Sequence, residues 1–80
     1  MITITDTFSE SKVIEYLGAT LIVPLWANFI ATDADGTVCV FHDEPYWDED
    51  CWINYESVNP AGSVATGILS IKPEDSKVKL

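Results

Sequence analysis

Apolar and polar residues alternate with a period of two along much of this 80-residue chain, as they do in half-buried strands. Ile2 and Ile4 alternate with Thr3 and Thr5, which predicts a short strand over residues 1–5. The next stretch reads differently. Thr7 with Glu10 fits a capping box, and Ser9 is a competing N-cap with Phe8 and Val13 placed as a hydrophobic staple. Val13, Ile14 and Leu17 follow at helical spacing, and Gly18 is a good helix stop. The pattern predicts one short helix over residues 8–17, packed on a sheet through Phe8, Val13, Ile14 and Leu17.

Ala19 to Leu25 is an apolar run broken by Pro24, expected as a buried strand whose ladder stops or bulges at the proline. Trp26–Thr32 and Thr37–His42 flank Asp33-Ala34-Asp35-Gly36, which has Asp at the first and Gly at the fourth place of a type I turn. A three-residue hairpin with Gly36 as the bulge sets Phe29 opposite Phe41 and Ala31 opposite Cys39. Asn28, Ile30, Thr32, Val38, Val40 and His42 then face the other way. A two-residue turn on Asp35-Gly36 would shift this register by one. Residues 43–50 read as an acidic loop, Cys51–Val58 as an alternating strand, Asn59–Gly62 as a turn, and Ser63–Ile71 as a strand with Gly67 at a bulge or close approach. The last four residues are expected to fray, although Val78 and Leu80 could add an edge strand. The expected fold is α+β: a small antiparallel sheet of about four to five strands with one N-terminal helix, residues 1–80 forming a single domain.

Charge narrows the functions. Thirteen acids stand against four lysines and no arginine, a net charge of −9. Such a field repels DNA, RNA and anionic lipid, so direct nucleic-acid or membrane binding is not expected. Five acids fall within eight residues: Asp43, Glu44, Asp48, Glu49 and Asp50. An acidic surface of this kind suits a basic protein groove, although solubility alone accounts for much of the charge. No apolar run is long enough to span a bilayer. The start at Met1 has no basic n-region or apolar core, so an intact cytoplasmic chain is expected.

Candidate chemistry is sparse. Asp33-Ala34-Asp35-Gly36-Thr37 matches the nucleophile motif of haloacid-dehalogenase-type phosphatases, but 80 residues cannot supply that fold's doubly wound domain. Counted as a calcium loop from Asp33, position 12 is Glu44, yet positions 5, 7 and 9 are Thr37, Cys39 and Phe41. Cys39, Cys51 and the single His42 do not have zinc spacing, and His42 lies on the strand face opposite Cys39. A non-enzymatic protein without metal or cofactor is expected. The aromatics carry more weight. Trp26 and Trp52 can fill a core with Trp47 capping it; alternatively Trp26, Tyr46, Trp47, Trp52 and Tyr55 offer stiff recognition surface.

The stretch from Trp26 through Asp33-Ala34-Asp35-Gly36, followed by Phe41, Pro45 and Trp52, resembles a pattern in small accessory proteins of tailed bacteriophages. The likeness spans roughly residues 24–52, and its centre is a generic hairpin. It implies an anti-defence protein acting in the host cytoplasm. The leading expectation is a binding protein that sequesters a small cyclic-nucleotide immune signal. Trp26, Tyr46, Trp47 and Trp52 would stack the bases. Asn28 and Thr37, with Asn54 and Thr32, would hydrogen-bond them, and Lys72 or Lys12 would supply positive charge. A homo-oligomer would pool lysines from two chains. The alternative is an acidic protein–protein inhibitor, a nucleic-acid mimic. It would dock Asp43, Glu44, Asp48, Glu49 and Asp50 on a basic groove of a host protein, with Tyr46 and Trp47 as anchors. A structural, virion-associated role is a third reading, with no residue to test it.

Overall fold

The computed structural model describes residues 10–67 and 71–80. Among these residues the chain is all-β: eight strands in three sheets, with one 3₁₀ turn and no α-helix. The strands are β1 (Ser11–Tyr16), β2 (Ala19–Pro24), β3 (Phe29–Thr32), β4 (Thr37–Phe41), β5 (Tyr46–Asp48), β6 (Cys51–Ile53), β7 (Ala61–Thr66) and β8 (Val78–Lys79), and the 3₁₀ turn is Pro73–Asp75. The expected α+β class is therefore corrected.

In place of the helix expected over 8–17, the described chain forms strand β1 at Ser11–Tyr16. Lys12, Ile14 and Tyr16 turn inward while Val13 and Glu15 stay exposed, which is a period of two. The β-branched pair Val13-Ile14 suits that pleated surface. β1 pairs antiparallel with β2 from Ser11↔Pro24 to Tyr16↔Ala19, leaving Leu17 and Gly18 as a two-residue loop. Their φ values are 49° and 84°, the positive pair that a type I′ hairpin turn requires. Gly18, read from the sequence as a helix stop, closes a hairpin with the same left-handed freedom. The caps Thr7 and Ser9, the staple residue Phe8 and the strand expected over 1–5 lie outside the described residues.

The central sheet has the order β7–β4–β3–β8, all antiparallel. Its β3–β4 hairpin has the three-residue turn and register expected from sequence, with Phe29↔Phe41 and Ala31↔Cys39. The Gly36 amide donates to the Asp33 carbonyl at 3.0 Å, and the Thr37 amide donates to Asp35 Oδ1 at 2.9 Å. Gly36 has φ 92°, and a Cβ there would overlap the carbonyl oxygen of Gly67. The Gly67 amide in turn donates to the Gly36 carbonyl at 2.9 Å. Gly67 thus marks a close approach, as expected, although it is Gly36 that cannot carry a side chain.

Alternation along β3 and β4 sends apolar side chains to both faces. Ile30, Val38 and Val40 pack with Tyr16, Val23 and Ala27 beneath the β1–β2 hairpin. Ala31 and Phe41 pack with Trp52 beneath the small β5–β6 hairpin, flanked by Phe29, Cys39 and Trp47. Two hairpins thus cover one sheet. Ile30, Val23 and Val40 are wholly buried, worth about 1.5–3 kcal/mol each. A polar knot joins the 3₁₀ turn to β3. Ser76 Oγ accepts from the Thr32 amide at 2.8 Å, and Tyr16 Oη lies 2.7 Å from Thr32 Oγ1 and donates to the Ser76 carbonyl at 3.1 Å.

Other expected boundaries move. Tyr46–Asp48, expected as loop, is a strand because Trp47 pairs with Trp52. The strand expected to reach Val58 stops at Ile53, where a turn closes from the Ser57 amide to the Asn54 carbonyl. The strand expected to begin at Ser63 begins at Ala61 and ends at Thr66; its expected continuation through 68–70 lies outside the described residues. The last four residues, expected to fray, instead include β8, which pairs with β3 as the alternative edge strand. No helix among the described residues is long and apolar enough to cross a membrane.

Candidate functional site

Two acidic hairpin tips lie side by side. The Ala34 amide in the β3–β4 turn donates to the Asp50 carbonyl at 2.9 Å. The Trp52 amide donates to Asp33 Oδ1 at 2.8 Å. These bonds fasten the tip of β5–β6 to the tip of the central hairpin. Asp33, Ala34, Asp35, Asp50 and Cys51 line an open cleft of about 350 Å³ between them. A second cleft, of about 310 Å³, lies on the other side of Asp33 and Asp35, towards Gly67 and Pro73. No lysine lines either cleft.

The carboxylates there are not equivalent. Burial pushes Asp33 above the ordinary carboxylate range, the Trp52 amide opposes this, and the charges of Asp35 and Asp50 add to it. Asp35 is held below that range by the Thr37 amide and hydroxyl. At neutral pH the cleft is a concentrated negative surface. The tip itself is tightly drawn. The Asp50 amide donates to the Asp48 carbonyl at 2.7 Å, and Glu49 between them has φ 59°. An i→i+2 bond around a positive φ is a γ-turn of the strained kind.

Beneath the tip, Trp52 is 7 % exposed. Its Nε1 donates to the Pro73 carbonyl at 3.1 Å, and Trp47 meets it edge to face at 5.5 Å between centroids. Lys77 Nζ lies 5.6 Å from the centre of the Trp52 ring and 2.7 Å from Glu44 Oε2. Lys77 accordingly holds Glu44 below its ordinary range. Tyr46, at the start of the hairpin, is 48 % exposed.

Asp43 anchors a separate network. Ser57 Oγ donates to Asp43 Oδ2 at 2.6 Å, Asn59 Nδ2 donates to the same oxygen at 2.9 Å, and His42 Nδ1 lies 2.7 Å from Oδ1. Three side-chain hydrogen bonds, Ser57's the largest effect, lower this carboxyl to about 2. Ser57, Asp43 and His42 are not a hydrolytic relay. Serine and histidine both bond to the carboxylate rather than to each other, and so acidic a carboxyl is a weak base.

The expected ligand set does not converge. Trp26 packs with the cluster beneath β1–β2, whereas Trp47 and Trp52 belong to the cluster on the opposite face of the central sheet. Asn28 Nδ2 donates to the His42 carbonyl, and the Thr37 amide is committed to Asp35. Lys72 is exposed beside the 3₁₀ turn, and Lys12 Nζ donates to the Ala27 carbonyl at 2.6 Å. None of Trp26, Asn28, Thr37, Tyr46, Trp47, Trp52 and Lys72 lines the two acidic clefts. The acidic set divides. Asp43 and Glu44 make internal contacts, while Asp48, Glu49 and Asp50 are exposed at the tip. Asp33 and Asp35 join these three; the sequence offered them as turn formers, a nucleophile motif and the start of a calcium loop, and not as part of the acidic surface.

Among the described residues no three His, Cys, Asp or Glu side chains converge as metal ligands do. The calcium count fails on contacts: Asp33 and Asp35 accept backbone amides, and Glu44 faces Lys77. Cys39 and Cys51 are free thiols. Burial, with help from Asp33 and Asp35, pushes Cys39 up to about 11. Burial and Asp50 raise Cys51 as well. Both therefore remain protonated at neutral pH and are poor nucleophiles. Compared with protein-family models, curated proteins and solved structures, the chain matches none.

Proposed function

We propose that this chain is an acidic binding module that docks its paired hairpin tips on a basic face of a protein partner. The observation that carries the reading is the hydrogen-bonded apposition of the two tips. It brings Asp33, Asp35, Asp48, Glu49 and Asp50 together on a backbone frame. Carboxylates held in place by a frame lose less conformational entropy on binding than the same acids in a loop. Tyr46, exposed at the start of the same small hairpin, offers an aromatic anchor. If the phage resemblance holds, the partner is a host protein whose basic groove otherwise holds nucleic acid, and the host cytoplasm is where they meet. Sequestration of a cyclic nucleotide has weaker support: the stacking residues lie on opposite faces of the sheet, and two of the four lysines are committed to internal contacts.

Affinity capture from bacterial lysate, followed by titration of the recovered partner, tests this. Binding should fall steeply between about 50 and 500 mM salt. It should be competed by duplex DNA and lost on combined charge reversal of Asp48, Glu49 and Asp50 to lysine. A partner that tolerates both salt and charge reversal, or calorimetric heat with a cyclic dinucleotide or trinucleotide, would overturn the reading.

A further inference from the structure

We propose that the outer edge of β7 pairs antiparallel with β7 of a second copy, joining two central sheets across a two-fold axis. The sheet has two very different edges. β8 is two residues long, includes Lys79 and is flanked by Lys77 and Leu80. A short, charged edge of this kind discourages further pairing. β7 is six residues long, Ala61–Thr66, and among the described residues nothing pairs with its outer side. It contains no lysine, no internal proline and no charge of either sign. Its pairing with β4 slips once, opposite Val38 and Cys39, and stays in register on either side. Ala61, Gly62, Ser63, Ala65 and Thr66 are small enough for another backbone to approach.

Charge selects the occupant. Residues 57–71 form fifteen positions without Asp, Glu or Lys, in a chain of net charge −9. Two identical acidic molecules can meet most cheaply where neither carries charge. A basic partner gains nothing at this edge and is drawn to the acidic tips instead. An antiparallel strand pair is also self-complementary, so one edge serves both copies. A six-residue edge buries less than the roughly 800 Å² per partner typical of stable complexes, so the dimer is weak and concentration-dependent. Salt acts on it with the opposite sign to partner docking. Screening the like charges of two copies tightens the dimer.

Sedimentation over a concentration series provides the test. The weight-average mass should climb from 8.9 kDa towards twice that value, with the midpoint moving to lower concentration as salt rises. Ser63→Lys combined with Thr66→Lys should hold the mass at that of one chain. Val58→Lys adds a single positive charge at a site 99 % exposed and off the strand, and should leave most of the association intact. Hydrogen exchange on the unmodified chain is an independent reading: amides of Ala61–Thr66 should gain protection with concentration. A mass of one chain at all concentrations, or association without such protection, would overturn the proposal.

Discussion

The two hairpins that cover the central sheet solve the same packing problem with different means. β1–β2 has six-residue strands and buries Tyr16 and Val23 against Ile30, Val38 and Val40. It holds its place chiefly by apolar contact, with Tyr16 Oη tied into the buried polar knot. β5–β6 has three-residue strands and places only Trp52 deep in the core, with Trp47 beside it. So small a hairpin is marginal alone. Its position depends on polar tethers: Ala34 to Asp50, Trp52 to Asp33, and the Trp52 indole to Pro73. The robust hairpin is the one with few charges, while the proposed docking surface rides on the tethered one. The acidic face should therefore be a unit of lower stability than the core it covers.

The largest expected effect comes from removing the single deep anchor of the tethered hairpin. Trp52→Ala takes away its packing on Ala31 and Phe41, its bond to Pro73 and the partner of Trp47. A loss of about 3–5 kcal/mol is expected in denaturant unfolding. Hydrogen exchange should find residues 46–53 unprotected before the central sheet. Val23→Ala should instead cost about 2–3 kcal/mol and lower protection across the sheet, because Val23 belongs to the robust side. Equal loss of protection in both variants would erase the distinction between the hairpins.

Next in size is the turn on which the acidic hairpin leans. Gly36→Ala must hold an L side chain at φ 92° against the Gly67 carbonyl oxygen, which should cost about 2–3 kcal/mol. Nothing lies within 4 Å of a Cβ built on Gly67, so Gly67→Ala should cost less than about 1 kcal/mol. Thermal melts of the pair measure the contrast. Similar melting points would mean that the tips are not locked as described.

Acid should loosen one flank of the tethered side before the core. Asp43 titrates near 2 in the folded chain against an ordinary 3.8. A lowered folded value means that its stabilisation is complete above the ordinary value and is lost as pH falls through the folded one. Between about pH 4 and 2, NMR signals of Ser57 and Asn59 should shift with Asp43, ahead of those of Val23 and Ile30. Asp43→Asn should flatten that response.

These contrasts were unequally legible in the chain. The turn and register of the β3–β4 hairpin could be read from the sequence, because turn chemistry is local and alternation on both faces fixes the register, although the strands expected from Trp26 and to His42 shorten to Phe29–Thr32 and Thr37–Phe41. β1 was misread because Val13, Ile14 and Leu17 satisfy helical spacing while Lys12 to Tyr16 also alternate, and Gly18 serves either ending. Only packing on Ile30, Val38 and Val40 decides between them. The acidic stretch was visible as composition. Its division into internal and outward carboxylates was not, because, His42 apart, the partners of Asp43 and Glu44 are Ser57, Asn59 and Lys77, well removed along the chain. The contribution of Asp33 and Asp35 depends on two turns meeting, which alternation within one strand cannot reveal.

The smallest expected effect has the opposite sign and bears most directly on the tethered hairpin. Glu49 holds a positive φ of 59° within a tight turn, a conformation that costs a side-chain-bearing residue about 1–2 kcal/mol. Glycine adopts it without that cost but gives up chain entropy in the unfolded state. Glu49→Gly should therefore raise stability by no more than about 1 kcal/mol, read as a small rise in melting temperature with protection gained at residues 46–53. The same change removes one of the five carboxylates gathered at the apposed tips. If the acidic tips dock as proposed, partner affinity should fall while the fold becomes firmer, and at high salt the affinity difference should shrink. A variant that is both more stable and a tighter binder would separate the strained turn from the charge it carries, and would shift the docking surface away from Glu49 towards Asp33 and Asp35.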